Sequence, residues 1–168
     1  LLFSIGCDCT ILCAITYVRD LGIPLVDINT GRLSFLATIQ TNQIESAITS
    51  ILENRFIISE RTLFRIETLP ENKVILHTNF ALNEIAVSRK NTTSMITVAT
   101  HLNEEYLTSY WAGGLIVSTP TGSTGSSLSC GGPVNSPDAN NFVLTPIAPH
   151  NLSARPLVIP DDTEINLK

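Results

Sequence analysis

The chain has 168 residues, 43% of them hydrophobic, and its 10 lysines and arginines against 15 aspartates and glutamates give a formal net charge of −5. That length suffices to bury a real core in one domain or two small ones. The basic residues are scattered, which argues against an electrostatic nucleic-acid binder but leaves room for a dinucleotide held by a few local donors. Four cysteines (Cys7, Cys9, Cys13, Cys130) form no CxxC pair and have no histidine nearby in sequence. They read as reduced thiols of a cytosolic protein, not as a metal site or a disulfide scaffold. The chain begins at Leu1, its one methionine is Met95, and residues 161–168 stop in a strand-like run with no closing helix. Both ends therefore read as cut, and the chain is expected to be a piece of a longer protein.

The first 18 residues are apolar enough to raise a membrane reading. No basic segment precedes them, and Asp8 near their middle would cost about 2.5 to 3.5 kcal/mol in a spanning helix. No membrane association is expected. Residues 1–5 form a short apolar run of the kind used for a buried parallel strand, ended by Gly6. Residues 10–21 carry Ile11, Leu12, Ile15 and Val18 at helical spacing and stop at Gly22, a helix-ending signal. Residues 23–28 read as a second strand with Pro24 near its start, and residues 29–32 as a turn. Residues 41–54 place Ile44, Ile48, Ile51 and Leu52 on one helical face. This order predicts a partial open α/β (Rossmann-like) domain over 1–57.

After residue 57 short β-rich runs follow one another, at 64–69, 74–77, 85–88, 95–102, 106–111, 115–117, 142–144 and 157–159. Asn103-Glu104 is placed as a hairpin turn between two of them. Residues 58–168 are thus expected to form a β-sandwich-like domain, interrupted by a Gly/Ser/Thr-rich segment at 119–133 that holds a short helix.

Four segments carry chemistry. Gly6-Cys7-Asp8-Cys9-Thr10 lies at a strand end before a helix, where backbone N–H groups attract phosphate and a carboxylate can serve as a base; Asp8 as a simple helix cap is the plainer alternative. Asn83 and Glu84 follow an apolar run and offer an amide and a carboxylate to ribose hydroxyls. The stretch from Gly114 to Pro133 runs from a strand into a loop dense in hydroxyls and glycines, which allow close approach to a ligand. It lacks the lysine of a phosphate-binding G-x-x-x-x-G-K-[ST] loop, and no G-x-G-x-x-G follows the first strand. His150 and Arg155, in a proline-rich segment, either meet phosphate or serve as structural residues; His77 and His101 read as structural or exposed.

In wording and order these segments resemble the NAD kinase family: a G-G-D-G-T strand end at Gly6 to Thr10, an I-N-x-G-x-L-G-F turn at Ile28 to Phe35, A-L-N-E at Ala81 to Glu84, G-L-I-V-S-T-P-T-G-S-T at Gly114 to Thr124, and P-I-x-P-H-x-L-x-x-R-P-L at Pro146 to Leu157. The resemblance implies ATP-dependent phosphorylation of the adenosine ribose 2′-hydroxyl of NAD. It implies Asp8 as the catalytic acidic residue, with Gly6, Cys7, Cys9 and Thr10 beside the phosphates. Asn83 and Glu84 would hold the NAD ribose. Thr119, Thr121 and Gly122 would belong to the binding loop, Thr124, Gly125, Ser126 and Ser129 would line the adenosine pocket, and Phe35 would pack near adenine. A divalent metal, magnesium, would accompany ATP, and the protein would be a cytoplasmic homodimer or homotetramer with NAD and ATP as its partners.

The chain departs from that pattern. Cys7 and Cys9 replace motif glycines, Ser34 stands where the turn has glycine, and Asp27 where a small neutral residue is common. Gly113 replaces an aspartate and Ser126 a tyrosine. If positions 7 and 9 need positive φ, each cysteine costs about 1 to 2 kcal/mol, and Cys9→Gly would then speed the reaction. A binding module that has lost turnover is the alternative to the enzyme. A relative of the diacylglycerol and sphingosine kinases, which share a related G-G-D-G-T element, is the less supported third.

Overall fold

The computed structural model describes every residue except Asp20, Arg32, Leu33, Phe35, Ala37, Thr38, Thr92 and Leu152. The chain divides into two compact units, Leu1–Glu60 and Arg61–Lys168.

In the first unit, strand β1 (Leu2–Gly6) leads into helix α1 (Asp8–Val18), then β2 (Leu25–Asn29), the short β3 (Ile39–Gln40), a 3-10 turn (Thr41–Gln43) and α2 (Ile44–Leu52). The strands lie in the order β1-β2-β3 and are all parallel. Parallel neighbours need a crossover, and α1 supplies the one between β1 and β2. The helix begins two residues earlier than its apolar periodicity suggests, because Cys7 takes the N-cap position with extended backbone. It ends at Val18, where Arg19 (φ 48°) and then Gly22 (φ 62°) turn the chain back toward the sheet. Pro24 sits immediately before β2, where a missing N–H removes no ladder bond. Register places Ser4 opposite Asp27 and Gly6 opposite Asn29, so these four share one face of the sheet.

The second unit holds β4 (Phe64–Arg65), α3 (Lys73–His77), β5 (Phe80–Ala81), β6 (Glu84–Ser88), β7 (Ile96–Leu102), β8 (Glu105–Ala112), β9 (Gly114–Ser118), a 3-10 turn (Thr121–Thr124), α4 (Ser126–Ser129), β10 (Asn141–Ile147), β11 (Leu157–Pro160) and β12 (Ile165–Leu167). A four-stranded sheet runs β11-β10-β9-β6, a three-stranded sheet β12-β7-β8, and β4 pairs with β5. Every pairing is antiparallel. Leu115, Val117, Phe142, Leu144 and Ile159 from the larger sheet meet Val98 and Tyr110 from the smaller one in a single core cluster, with Phe64 added from β4. Two sheets with their apolar faces together make the β-sandwich-like arrangement expected from the short runs. β9 has Gly114 to Ser118 buried throughout, which explains its unbroken apolar run: a strand covered on both faces has no polar side to alternate with.

Asn103 (φ 48°) and Glu104 (φ 70°) form the predicted turn between β7 and β8, both in the left-handed region that a two-residue type I′ hairpin demands. One run was misjudged. Residues 74–77 are helical, not extended, because the Asn72 side chain accepts from the Val74 N–H at 2.9 Å and caps a turn. That local bond outweighs the β preference of Val74 and Ile75. The 64–69 run pairs only at Phe64–Arg65.

Leu144 is fully buried between the sheets, so Leu144→Ala is expected to destabilise the second unit by about 2 to 5 kcal/mol. Urea unfolding followed by circular dichroism measures this, and a loss below about 1 kcal/mol would contradict the assigned core.

Candidate functional site

The first constellation is built at the junction of β1 and α1. Gly6 is there for space: a Cβ on it would lie 2.1 Å from Thr10 Oγ1 and 3.0 Å from Thr10 Cβ. Thr10 uses that room to fold back, its hydroxyl accepting the Cys7 N–H at 3.3 Å while its own N–H donates to the Cys7 carbonyl at 2.8 Å. From the next strand, the Thr30 N–H donates to the Gly6 carbonyl at 2.9 Å, and the Gly31 N–H to Asn29 Oδ1 at 2.8 Å. Gly6, Cys7, Asp8 and Thr10 are therefore held in one loop-to-helix turn.

Asp8 is not the cap. It is the first residue of α1, and its Oδ1 accepts the Ser34 hydroxyl, with the Leu36 N–H at 3.4 Å. A carboxylate at a helix N-terminus is favoured in its ionised form by the N–H dipoles behind it. Ser34 enters the site as a direct partner of Asp8, a role that its substitution for a turn glycine signalled but did not define. Phe35 lies outside the described residues.

Neither cysteine is strained. Cys7 has φ −116° and Cys9 lies within α1, so the cost expected for positive φ does not arise. Replacing Cys9 by glycine would relieve nothing and would weaken the first turn of the helix. Both thiols are exposed and free. The backbone N–H groups of Cys9 and Thr10 draw the Cys7 thiol below its ordinary pKa, whereas the adjacent Cys7 thiol pushes Cys9 up.

Beneath this turn, Asp27 is 93% removed from solvent and both its carboxylate oxygens lack a hydrogen-bond partner. Burial raises its pKa, and the Asp8 charge adds to the rise. The Ser4 hydroxyl across the register pulls the value partway back, although the two side chains do not meet at hydrogen-bonding geometry.

The second constellation joins the segment before β6 to the loop after β9. The buried Thr119 hydroxyl donates to the Leu82 carbonyl and accepts the Gly122 N–H at 3.1 Å, and the Thr119 N–H donates to the Asn83 carbonyl at 2.9 Å. A Cβ on Gly122 would come within 1.9 Å of that same carbonyl oxygen. Thr119 and Gly122 thus fix where Asn83 sits. Glu84 Oε1 accepts the Ser126 hydroxyl, and the Ser126 N–H approaches it at 3.4 Å; Gly125 leaves room for Oε2, which a Cβ would approach to 2.7 Å. After these bonds Asn83 Oδ1, Glu84 Oε2 and Thr121 Oγ1 remain buried without a partner. Two acceptors on adjacent residues, with a hydroxyl in the facing loop, suit a ligand that brings O–H donors. Thr124 and Gly125 are half-buried, and Ser126 and Ser129 are exposed.

The loop is anchored underneath by residues that the sequence did not single out. The Ser127 and Thr145 hydroxyls bond at 2.8 Å, and the Ser123 hydroxyl donates to the Pro120 carbonyl and accepts the Asn135 N–H. His150 stacks on Trp111 with ring centroids 4.3 Å apart, and its backbone N–H donates to the Trp111 carbonyl at 3.0 Å, which gives it a structural occupation.

Residues 82–168 match the family described as ATP-NAD kinase C-terminal domain, and residues 1–56 match the ATP-NAD kinase N-terminal domain. The whole chain aligns at 64% identity with an NAD kinase of Christiangramia forsetii and at 48% with one of Cytophaga hutchinsonii, in each case spanning 57% of the relative's length. Among solved structures, yeast NADH kinase complexed with NADH superposes with a TM-score of 0.87 at 29% identity, over 99% of this chain and 49% of that one. An NAD kinase from Archaeoglobus fulgidus in complex with ATP does so at 0.80 and 30% identity, over 98% of this chain and 63% of that one.

Gly122→Ala is expected to cost at least about 3 kcal/mol, because the obstacle is backbone and not a movable side-chain tip; a melting temperature within about 3 °C of wild type would refute this. For Asp27 the raised folded pKa means that the native state keeps a proton after the unfolded chain has released it near the ordinary value of 3.8. Stability from this group is therefore greatest below that pH and declines as pH rises through the folded pKa. Asp27→Asn should exceed wild type in stability at neutral pH, with the gap shrinking as pH falls through the raised folded pKa and levelling off below the ordinary value of 3.8. A gap independent of pH in denaturation curves would show that Asp27 does not hold its proton.

Proposed function

This chain belongs to the NAD kinase family, and from that premise we propose that the protein carrying it transfers the γ-phosphoryl group of ATP to the adenosine ribose 2′-hydroxyl of NAD. The observation that carries the reading is the adjacent pair of buried, unpartnered acceptors, Asn83 Oδ1 and Glu84 Oε2, under the hydroxyl-rich loop. Ribose hydroxyls are donors of the kind those atoms lack. Two relatives' structures support a dinucleotide acceptor and a triphosphate donor, one being complexed with NADH and the other with ATP.

In this reading Asp8 accepts the proton of the attacking hydroxyl. Its bond from Ser34 orients the carboxylate at the start of α1. The N–H groups opening α1 face the phosphates, with Gly6, Cys7, Cys9 and Thr10 forming the turn that presents them. Thr119, Thr121 and Gly122 hold the binding loop against Asn83, and Thr124, Gly125, Ser126 and Ser129 line the adenosine side, with Phe35 near the adenine. The protein's contribution is positioning, since phosphoryl transfer demands alignment and charge compensation more than covalent help.

Among the described residues no group of three or more His, Cys, Asp or Glu side chains could hold a metal ion. Magnesium, which the family resemblance implies, is assigned to none of these described residues. A homodimer or homotetramer in the cytoplasm completes the proposal. Among the described residues no helix is long and apolar enough to cross a membrane.

A catalytically silent dinucleotide binder is the second reading, favoured by the absence of a carboxylate at Gly113, where a Cβ would meet the Ile147 carbonyl at 3.3 Å. Incubating the full-length protein with NAD, ATP and magnesium and detecting NADP with a coupled dehydrogenase decides between them. Asp8→Asn should lower kcat by about 100-fold or more with little change in KM for NAD. Undiminished turnover in that variant would remove Asp8 as the base; calorimetric NAD binding without any NADP would favour the silent binder.

A further inference from the structure

Glu84 opens β6 opposite Ser118, the last residue of β9, so its side chain stands where the hydroxyl-rich loop begins. Further along that loop Ser126 opens α4 and comes back to the same carboxylate. The two Glu84 oxygens have different surroundings. Oε1 accepts the Ser126 hydroxyl, and the Ser126 N–H approaches it at 3.4 Å. Oε2 is buried without a partner, in space that a Cβ on Gly125 would invade to 2.7 Å. A carboxylate held through one oxygen has its side-chain rotation stopped, and the other oxygen becomes an acceptor at a fixed place.

The surroundings of Oε2 point to a ligand. Thr121 is 7% exposed and its hydroxyl has no partner, and Asn83 Oδ1 is likewise buried and unpaired. These atoms lie on the two segments that the close approach of Gly122 to the Asn83 carbonyl holds together. Buried polar groups without partners are uncommon in folded proteins, and a ligand carrying hydroxyls would satisfy them. Two neighbouring serines divide the task of holding this loop. Ser127 is fully buried and bonds to Thr145 at 2.8 Å, which ties α4 to β10. Ser126 is exposed, and its hydroxyl goes to Glu84.

We propose that Ser126 is a positioning residue for dinucleotide binding: its hydroxyl holds Glu84 Oε1 so that Oε2 is presented to a ribose hydroxyl. The inference rests on the reading of Asn83 and Glu84 as ribose acceptors. Ser126 then contributes through the carboxylate, whatever its main chain lines on the adenosine side. Without the hydroxyl, the Glu84 side chain regains its rotamers, and each binding event has to stop them again. The loss falls on affinity for NAD and not on turnover, because the proposed base, Asp8, belongs to the first unit and keeps its own partner in Ser34.

The test measures NAD binding by calorimetry, and kcat for NADP formation, in full-length wild type, Ser126→Ala, Ser126→Thr, Glu84→Ala and the double variant Ser126→Ala with Glu84→Ala. Ser126→Ala should weaken NAD binding roughly five- to tenfold while kcat stays within about twofold. Ser126→Thr keeps the hydroxyl and should bind NAD within about twofold of wild type. Glu84→Ala should lose at least as much affinity as Ser126→Ala. Adding Ser126→Ala to Glu84→Ala should then cost nothing more, because the group on which the hydroxyl acts is gone. Equal losses in both backgrounds would show that Ser126 acts on the loop or the ligand directly, and would overturn the inference. So would wild-type affinity in Ser126→Ala beside weakened binding in Glu84→Ala, or a loss confined to kcat. Undiminished NAD binding in Glu84→Ala would remove the ribose reading itself, and with it the part given to Ser126.

Discussion

The contact between Gly122 and the carbonyl of Asn83 governs the second unit's chemistry, because nothing larger than a hydrogen fits between them. Thr119 tightens the same junction from the other side, with its hydroxyl shared between Leu82 and Gly122. The loop after β9 is thereby made part of the segment before β6, although the two are far apart in sequence. β6 and β9 are hydrogen-bonded neighbours, so the junction continues a ladder that the sandwich core already fixes. The acceptors on Asn83 and Glu84 inherit their positions from packing, and a site set by packing is ready before its ligand arrives.

The first unit solves a different problem by a different means. Its sheet is small and parallel, and its chemistry sits where β1 gives way to α1. Here the constraint is local: Gly6 makes room for Thr10, and Thr10 closes the turn on Cys7. Asp27 below this turn shows the opposite tendency, a buried carboxylate with no partner. Unsatisfied groups of this kind gather at working parts of proteins, where the rest of the fold supplies the stability they give up.

Much of this was legible in the sequence. The order strand-helix-strand announced the α/β unit, and the apolar run at 115–117 announced a strand, although its burial on both faces was not read from it. Asn103-Glu104 was readable as a hairpin because it lies between two β-rich runs. The helix at Lys73–His77 was not readable, since Val74 and Ile75 favour strands and only the Asn72 cap reverses them. The pairing of Ser34 with Asp8 was hidden because the residues are 26 apart and no periodicity links them. Thr119 and Gly122 stood out as members of a polar, flexible-looking loop, but only coordinates show that the loop is clamped and that Thr119 spends its hydroxyl on backbone. The pairing of Ser127 with Thr145 carried no sequence signal, since the two are 18 residues apart.

The turn at the tip of β1 separates two demands that a run of glycines blurs together. Position 6 excludes any side chain by collision with Thr10, whereas positions 7 and 9 have ordinary backbone torsions and open surroundings. Reactive atoms can therefore be installed on either side of the carboxylate without reshaping the main chain that carries it. The turn is in this sense a socket with two spare sockets beside it, and chemistry can be added there by exchanging single residues while the architecture stays as it was.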